Sequence, residues 1–451
     1  MEPQHLRFGG GATETVLHPL VAVAMLIAIV LILIRPRDKA ITPFLLACFS
    51  IPIGQVVVLG SLHFTVLRIL IIAGLVRRAT YRGSSKFPGG FNPIDRMVVL
   101  WTLSALIILS LQWMDTQALI HNLGDFLDAI GGYLVVRFLI PDGEAIRRTI
   151  KTLAAVCVIQ GAFMINEQIN HVNVFGYLGG MPVAVTVRNG AIRSEAVMGC
   201  IYAGVFAAVL VPLFLWQWKE GKSRMAACAG LAGATVMVFT SHASSSLLAF
   251  GGSLLGLAFW PLRTRMRLVR QGLVVMLVSL HLVMKAPVWA LIARIDLTGS
   301  SSSDHRYHLV DATIRHFSDW WLLGYKEFNL WGWDMWDLSN QFVAVALTGG
   351  LLTLVCYIAI FIRSFRAIGK ARKQVEGDRA REWLLWCLGS VLFATMLSHF
   401  GINFPALMLI GLFTILACIS VASSEAMRPE EVKVEIPDDS HLTSVPDVVG
   451  A

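Results

Sequence analysis

The sequence predicts an all-α, polytopic integral membrane protein of about 12–14 transmembrane helices with two long outer loops. Three observations carry that expectation. The 451 residues are 56% hydrophobic and only 15% charged, against roughly a quarter charged in a soluble domain, and the mean hydropathy is +0.68. The apolar residues gather into runs of about 18–23, enough for a helix to cross a hydrocarbon core of ~30 Å. Lys and Arg crowd into every second polar connection, the pattern that the positive-inside rule gives to cytoplasmic loops. The net charge of +8 is therefore mostly a topology signal, and nucleic acid is not an expected partner.

The segments can be justified in order. The first, 16–34, lacks a basic leader and a small-residue cleavage site, and Arg35-Pro36-Arg37-Asp38-Lys39 follows it like a stop-transfer flank. It reads as a span and not as a signal peptide. Segments 41–60 and 62–76 meet near Gly60 and lead to Arg77, Arg78, Arg82 and Lys86. Segment 94–114 turns through Asp115–Asn122 into 122–140, which carries Asp125 and Asp128. The basic run from Arg137 to Lys151 precedes 149–166. Segment 196–218 ends at Lys219, Lys222 and Arg224; 224–240 and 245–262 are joined by a short turn; Arg263–Arg270 opens 268–284. Segment 338–362 ends in the Arg363–Arg381 cluster, and 382–400 and 404–422 complete the series. Strict alternation puts the N-terminus outside and the C-terminus inside. Residues 1–422 form the membrane domain, and 423–451, rich in acidic residues, Pro, Ser and Val, read as a mobile cytoplasmic tail. All seven cysteines fall in apolar runs without ligand spacing, which points to neither disulfide nor metal.

Most outer connections are a few residues long. Two are not: 167–195 and 285–337. Long loops in a compact protein tend to carry function. Both hold arginines on the face where insertion statistics disfavour them, namely Arg188 and Arg193 in one and Arg294–Arg315 in the other. Guanidinium matches phosphate oxygens bidentately and keeps its charge at any physiological pH, so an anionic partner is expected there. Ser303–His308 opens an expected helix running to about Trp321, with Asp304 as N-cap. Tyr307, Val310, Ile314, Phe317 and Trp321 would form its apolar stripe, and Asp304, His308, Asp311 and Arg315 the opposite one. Arg306 projects near the edge of the apolar stripe and Arg315 into water. Snorkelling to lipid phosphate is the plain alternative for Arg306.

Asp337, Asn340, Gln341, Ala344 and Thr348 are expected on one face at the start of the 338–362 helix, lining a cavity unless Asp337 or Ser339 serves as the cap. Asp125 and Asp128 fit a general base, a cation site or a salt bridge to an outer arginine, of which structural pairing is the favoured reading. Glu167, His171, Glu195 and His242 lie near the same outer face.

With these residues in view, the chain resembles the O-antigen ligase and O-antigen polymerase superfamily, most clearly over 239–361. Thr240-Ser241-His242-Ala243-Ser244-Ser245-Ser246-Leu247-Leu248-Ala249 is similar to the family's Thr-x-Ser-Arg-small stretch opening a span. Arg306 with the run to Leu323-Gly324-Tyr325 resembles the loop arginine followed by an aromatic and a Leu-Gly-x-Gly turn. Asp337-Leu338-Ser339-Asn340-Gln341-Phe342 with Thr348-Gly349-Gly350-Leu351 resembles the His-Asn-x-Tyr-Leu and Gly-Leu block, and Arg188 precedes Gly199 at a spacing like that of polymerase loops. His242 replaces the family's Arg, Ser339 its His, and Tyr325-Lys326 the glycine ending. These departures weaken the ligase reading more than the polymerase reading.

The resemblance implies a metal-independent, cofactor-free glycosyltransferase of the bacterial inner membrane, with loops 167–195 and 285–337 in the periplasm. It would polymerise undecaprenyl-pyrophosphate-linked repeat units. Arg306, Arg188 and Arg193 would hold the pyrophosphate. Asn340, His242, Asp304 and His308 would contact glycan, and Asp337 first or His305 second would take the acceptor proton. Its partners would be the lipid-linked glycan and membrane lipid; the sequence leaves a chain-length regulator open. Two rivals stand beside it. One is a ligase acting on lipid A–core or protein. The other is a transporter or flippase using Asp125, Asp128 and Glu167 as ion sites. A non-catalytic scaffold is a third reading.

Overall fold

The computed structural model describes residues 14–60, 62–83, 85–291, 302–332 and 335–427. Arg294 and the tail beyond Met427 lie outside the described residues. The fold is all-α apart from two short hairpins. Its helices are α1 (Pro19–Ile34), α2 (Ile41–Ser50), α3 (Val66–Thr80), α4 (Pro93–Trp113), α5 (Thr116–Phe126), α6 (Gly132–Leu139), α7 (Gly143–Asn170), α8 (Cys200–Glu220), α9 (Arg224–Thr240), α10 (Ser244–Ala258), α11 (Met266–Val283), α12 (Ser302–Arg315), α13 (Gln341–Gln374), α14 (Arg379–Ser398) and α15 (Ala406–Ala426). Among the described residues, seven helical stretches are long and apolar enough to cross a membrane: α4, α7, α8, α11 with its leading turn, α13, α14 and α15. The shorter helices α1, α9 and α10 are apolar as well. The chain is thus a multi-pass membrane protein, with fewer full-length spans than the expected 12–14.

Local chemistry sets these elements. Asn92 caps α4 reciprocally with Asp95, and Pro93 occupies its first turn, which satisfies helix-start donors that have no intrahelical partner. Segment 41–60 is not one helix. Its helix stops at Ser50, ahead of Pro52 and Gly54, and the β-branched run pairs as β1 (Val56–Leu59) with β2 (Leu62–Thr65). Segment 122–140 is helical with a π-turn at Leu127–Gly131. There Asp128 accepts from Arg68 Nε at 2.9 Å and Nη2 at 2.7 Å, with Asp125 3.7 Å from Arg68. Asp125 and Asp128 are therefore in a structural ion-pair cluster, as the favoured reading held, and Arg68 is consumed by it.

One end of the bundle gathers the basic connections. There Arg147 and Arg148 pair with Glu220 and Asp38, Gly143 N donates to Glu425 at 2.8 Å, and fully buried Arg137 pairs with Asp95. The opposite end carries loop 171–199, α12 and residues 399–405.

Candidate functional site

At the loop end, α7 supplies a docking post for the first long loop. Glu167 accepts from the backbone N–H groups of Glu195 and Ala196 at 2.7 and 2.8 Å, and Gln168 Nε2 donates to Ile192 O and Ser194 Oγ, both at 2.8 Å. These bonds hold β4 (Ala191–Arg193) of the hairpin it forms with β3 (Thr186–Arg188). Asn189 and Gly190 turn the hairpin with positive φ, the preferred two-residue connection. Arg188 stands exposed at the tip. Arg193, at the base, is only 9% exposed, and its guanidinium makes no hydrogen bond or ion pair among the described residues, with Nε buried and unsatisfied. Glu195 lies within electrostatic range of it. Burial pushes the Glu195 carboxyl above its ordinary value, while Asn173 and Arg193 pull the other way.

The second long loop meets this region from the other side. Arg306 on α12 donates through Nη2 to Ser245 Oγ on α10 at 3.1 Å, and Ser245 donates to Gly401 O at 3.2 Å. Arg306 therefore points into protein and does not snorkel. His305 sets its Nε2 2.9 Å from Asp337 O; a carbonyl only accepts, so Nε2 is the donor. The two residues expected to take a proton are thereby adjacent, through the main chain of Asp337. Asp337 is also within electrostatic reach of Tyr202, whose hydroxyl donates to Asn403 Oδ1 at 2.7 Å. Cys200 links Tyr202 to Arg193 in the same electrostatic sense. Arg193, Cys200, Tyr202 and Asp337 thus lie, each to the next, within electrostatic range, and Asp337 meets His305, which is adjacent to Arg306 on α12.

Other expectations are corrected. The α12 helix ends at Arg315, and its buried face is Leu309, Asp311 and Thr313, while Ile314, Phe317 and Trp321 are exposed. Val310 and Ile314 share one side of α12 and border an apolar groove against α13, but Phe317 and Trp321 lie beyond the helix end. Asp304 lies inside the first turn and pairs with His308 at 3.3 Å on the exposed side, away from Arg306. Arg315 pairs with Asp311 at 2.7 Å and is largely solvated, as expected. Asp337 precedes α13 and shares no helical face with Gln341; Asn340 is the N-cap, accepting from Phe342 N and Val343 N. His242 sits exposed in the turn between α9 and α10.

Sequence reasoning missed Tyr202, Ser245, Asn403 and His399. His399 is buried, with Nδ1 on Thr395 O and Nε2 on Tyr357 OH at 2.7 Å. Gln341 accepts from Phe404 N at 2.6 Å and donates its own N–H to His399 O. Together they seat the 399–404 turn that presents Gly401 and Asn403. Polar residues closing apolar runs were the available signal.

The motif segments also meet. Gly350 breaks α13, with φ 65° and ψ −173°. Into the break fits the strand of chain at 321–325: Tyr325 N donates to Leu347 O and Leu351 N to Trp321 O, both at 2.8 Å. Gln112 of α4 reaches Leu323 O and Leu347 O. Non-helical backbone at membrane depth is tolerated only when its polar groups are satisfied in this way. Below Asn340 runs an apolar groove of about 430 Å³, bounded by α12 residues Val310 and Ile314 and by α13 from Phe342 to Phe365, with Met396 and Phe400 opposite. That stretch of α13 spans roughly 30 Å at the helical rise.

Comparison with protein-family models and with curated proteins finds no match. The chemistry of the site must carry the reading. It offers two guanidinium groups, Arg193 and Arg306, with Asp337 and His305 in contact beside Arg306, and an apolar groove along α13. No group of three or more metal-ligating side chains occurs among the described residues.

Proposed function

We propose that the protein is a membrane glycosyltransferase that polymerises glycan repeat units carried on undecaprenyl pyrophosphate, at the periplasmic face of a bacterial inner membrane. The observation that carries this reading is Arg193: a buried cation without an ion pair among the described residues, at the same loop-bearing end as Arg306. A buried unpaired charge is costly, and a diphosphate entering the site would offset it. Arg306, already oriented by Ser245, would take the second phosphate and stabilise negative charge as the carrier departs. The acceptor hydroxyl loses its proton to Asp337, or to His305 through Nδ1, and attacks the anomeric carbon. The bond from that carbon to the pyrophosphate oxygen breaks, and undecaprenyl pyrophosphate leaves. The apolar groove suits the isoprenoid chain. The pairing of Asp128 and Asp125 with Arg68 and of Glu167 with two backbone N–H groups supports a structural role for these carboxylates over an ion-transport one.

The test is reconstitution. Proteoliposomes given undecaprenyl-pyrophosphate-linked repeat units should yield longer lipid-linked glycans; transfer only to lipid A–core would assign a ligase, and absence of any glycan transfer would sink the proposal. Orientation has its own check. With Cys228 replaced, Arg188→Cys should react with an impermeant maleimide added from the periplasm, and Arg381→Cys should not. The reverse pattern overturns the proposed sidedness.

A further inference from the structure

The basic end holds a second cationic cluster that the proposed reaction does not use. Four arginines at that end have acidic partners: Arg137 with Asp95, Arg147 with Glu220, Arg148 with Asp38, and Arg263 with Glu382. Arg37, Arg77 and Arg78 form no ion pair among the described residues. Arg37, in the turn between α1 and α2, donates through Nε to Phe138 O at 2.7 Å and through Nη1 to Ser85 O at 2.8 Å. Its guanidinium carbon lies 4.3 Å from the Phe138 ring centre and 5.0 Å from that of Tyr81. Arg77 donates to the carbonyls of Ile32 and Arg35, which close α1. Arg78 sits 4.8 Å over the Phe87 ring.

These contacts fix the three guanidinium groups without neutralising them. Arg37 is within electrostatic range of both Arg77 and Arg78. On each of the three, one nitrogen is buried and lacks a hydrogen-bond partner: Arg37 Nη2, Arg77 Nε and Arg78 Nε. The positive-inside rule accounts for basic residues at this end. It does not account for three of them being held close together, partly dehydrated and with donors unused, since like charges disfavour one another and an unmade buried hydrogen bond costs more than a made one gains. An anion docking against the accessible faces of these groups offsets their mutual repulsion. The cluster lies at the ends of α1 and α3, where Leu33, Ile34 and Val76 are exposed on a membrane-spanning body. Acyl chains can lie against that flank.

We propose that Arg37, Arg77 and Arg78 form a binding site for the phosphate of an anionic phospholipid, whose acyl chains pack on the α1 and α3 flank. Basic pockets between membrane helices are suited to such headgroups, and guanidinium is the side chain that matches phosphate oxygens best. This site is independent of the glycan chemistry at the other end.

The test uses full-length protein in nanodiscs of mixed phosphatidylglycerol and phosphatidylcholine, with retained lipid read by native mass spectrometry after release. Wild-type protein should retain phosphatidylglycerol in preference to phosphatidylcholine. Arg37→Gln and Arg78→Gln should each lower that preference by about tenfold, the effect of losing one charge-assisted hydrogen bond. Arg82→Gln, an exposed basic residue of the same connection, should leave it unchanged. Equal retention of the two lipids by wild-type protein overturns the proposal whether or not the variants fold. So does displacement of the lipid by millimolar inorganic phosphate, which would assign a free-phosphate site instead. An Arg82→Gln effect as large as that of Arg78→Gln would reduce the cluster to general surface charge.

Discussion

Arg306→Ala is expected to abolish glycan polymer while leaving the protein folded and in the membrane. Arg306 gives Ser245 a hydrogen bond at 3.1 Å, and Ser245 keeps its own bond to Gly401 O when that donor is lost. The chemical cost is large, because a fixed donor aimed at developing negative charge typically contributes a factor of about 10²–10³ to turnover. Arg306→Lys should remain strongly impaired, since ammonium keeps the charge and loses the planar fork. Arg315→Ala is the control. Its partner Asp311 is close, but Arg315 itself is largely in water, and such pairs contribute roughly 0–1 kcal/mol. The measurement is the ladder of glycan lengths on gels, with protein level followed by immunoblot. A wild-type ladder from Arg306→Ala cells would remove Arg306 from the reaction. Normal lengths from Arg306→Ala combined with loss in Arg193→Ala would shift the anion site wholly to the first loop.

The contrast between Arg306 and Arg315 shows what the sequence could convey. Both are on α12, and helical geometry alone separated a residue at the edge of the buried side from one in water. Apolar runs likewise located the helices, because hydropathy over some twenty residues reflects burial in lipid whatever the neighbours do. What periodicity could not reveal was the partner of each face. Val310 and Ile314 border the groove beside α13 while Leu309 and Thr313 are buried, because the direction from which α13 approaches is not encoded in local sequence. The hairpin at Val56–Thr65 was hidden for a related reason. Apolar β-branched residues fit a strand as well as a membrane helix, and only Pro52 and Gly54 marked the end of α2. At the candidate site, arginine was legible because charge is conspicuous on that face. Tyr202, Asn403 and His399 were not, because each becomes meaningful only when helices distant in sequence converge.

The same convergence makes Gly350→Ala the substitution expected to cost most in stability. Gly350 has φ 65° and ψ −173°, a region that side-chain-bearing residues avoid at a cost of roughly 1–3 kcal/mol. A Cβ there would sit 2.6 Å from Leu322 O and 3.1 Å from Trp321 O. Neither backbone atom has room to retreat. Trp321 O is fixed by Leu351 N, Tyr325 N is fixed on Leu347 O, and Gly324 already packs against that carbonyl so closely that its own Cβ would fall 2.1 Å from it. Relief would require the 321–325 segment to leave the break, exposing the carbonyl of Leu347 and the N–H of Leu351 where little water is present to take them. The predicted loss is therefore about 2–4 kcal/mol, read as a lower unfolding temperature in detergent. Activity should fall with it, because the 321–325 segment is the tether between α13 and the helix bearing His305 and Arg306. Gly369→Ala tests whether any added methyl has this effect: it lies in the same helix with no atom within 4 Å of a new Cβ, and should stabilise by roughly 0.5–1 kcal/mol through helix propensity. If Gly350→Ala unfolded at the wild-type temperature, the loop would not be locked into the broken helix, and the arginine it carries would lack the rigid support that the proposed chemistry needs.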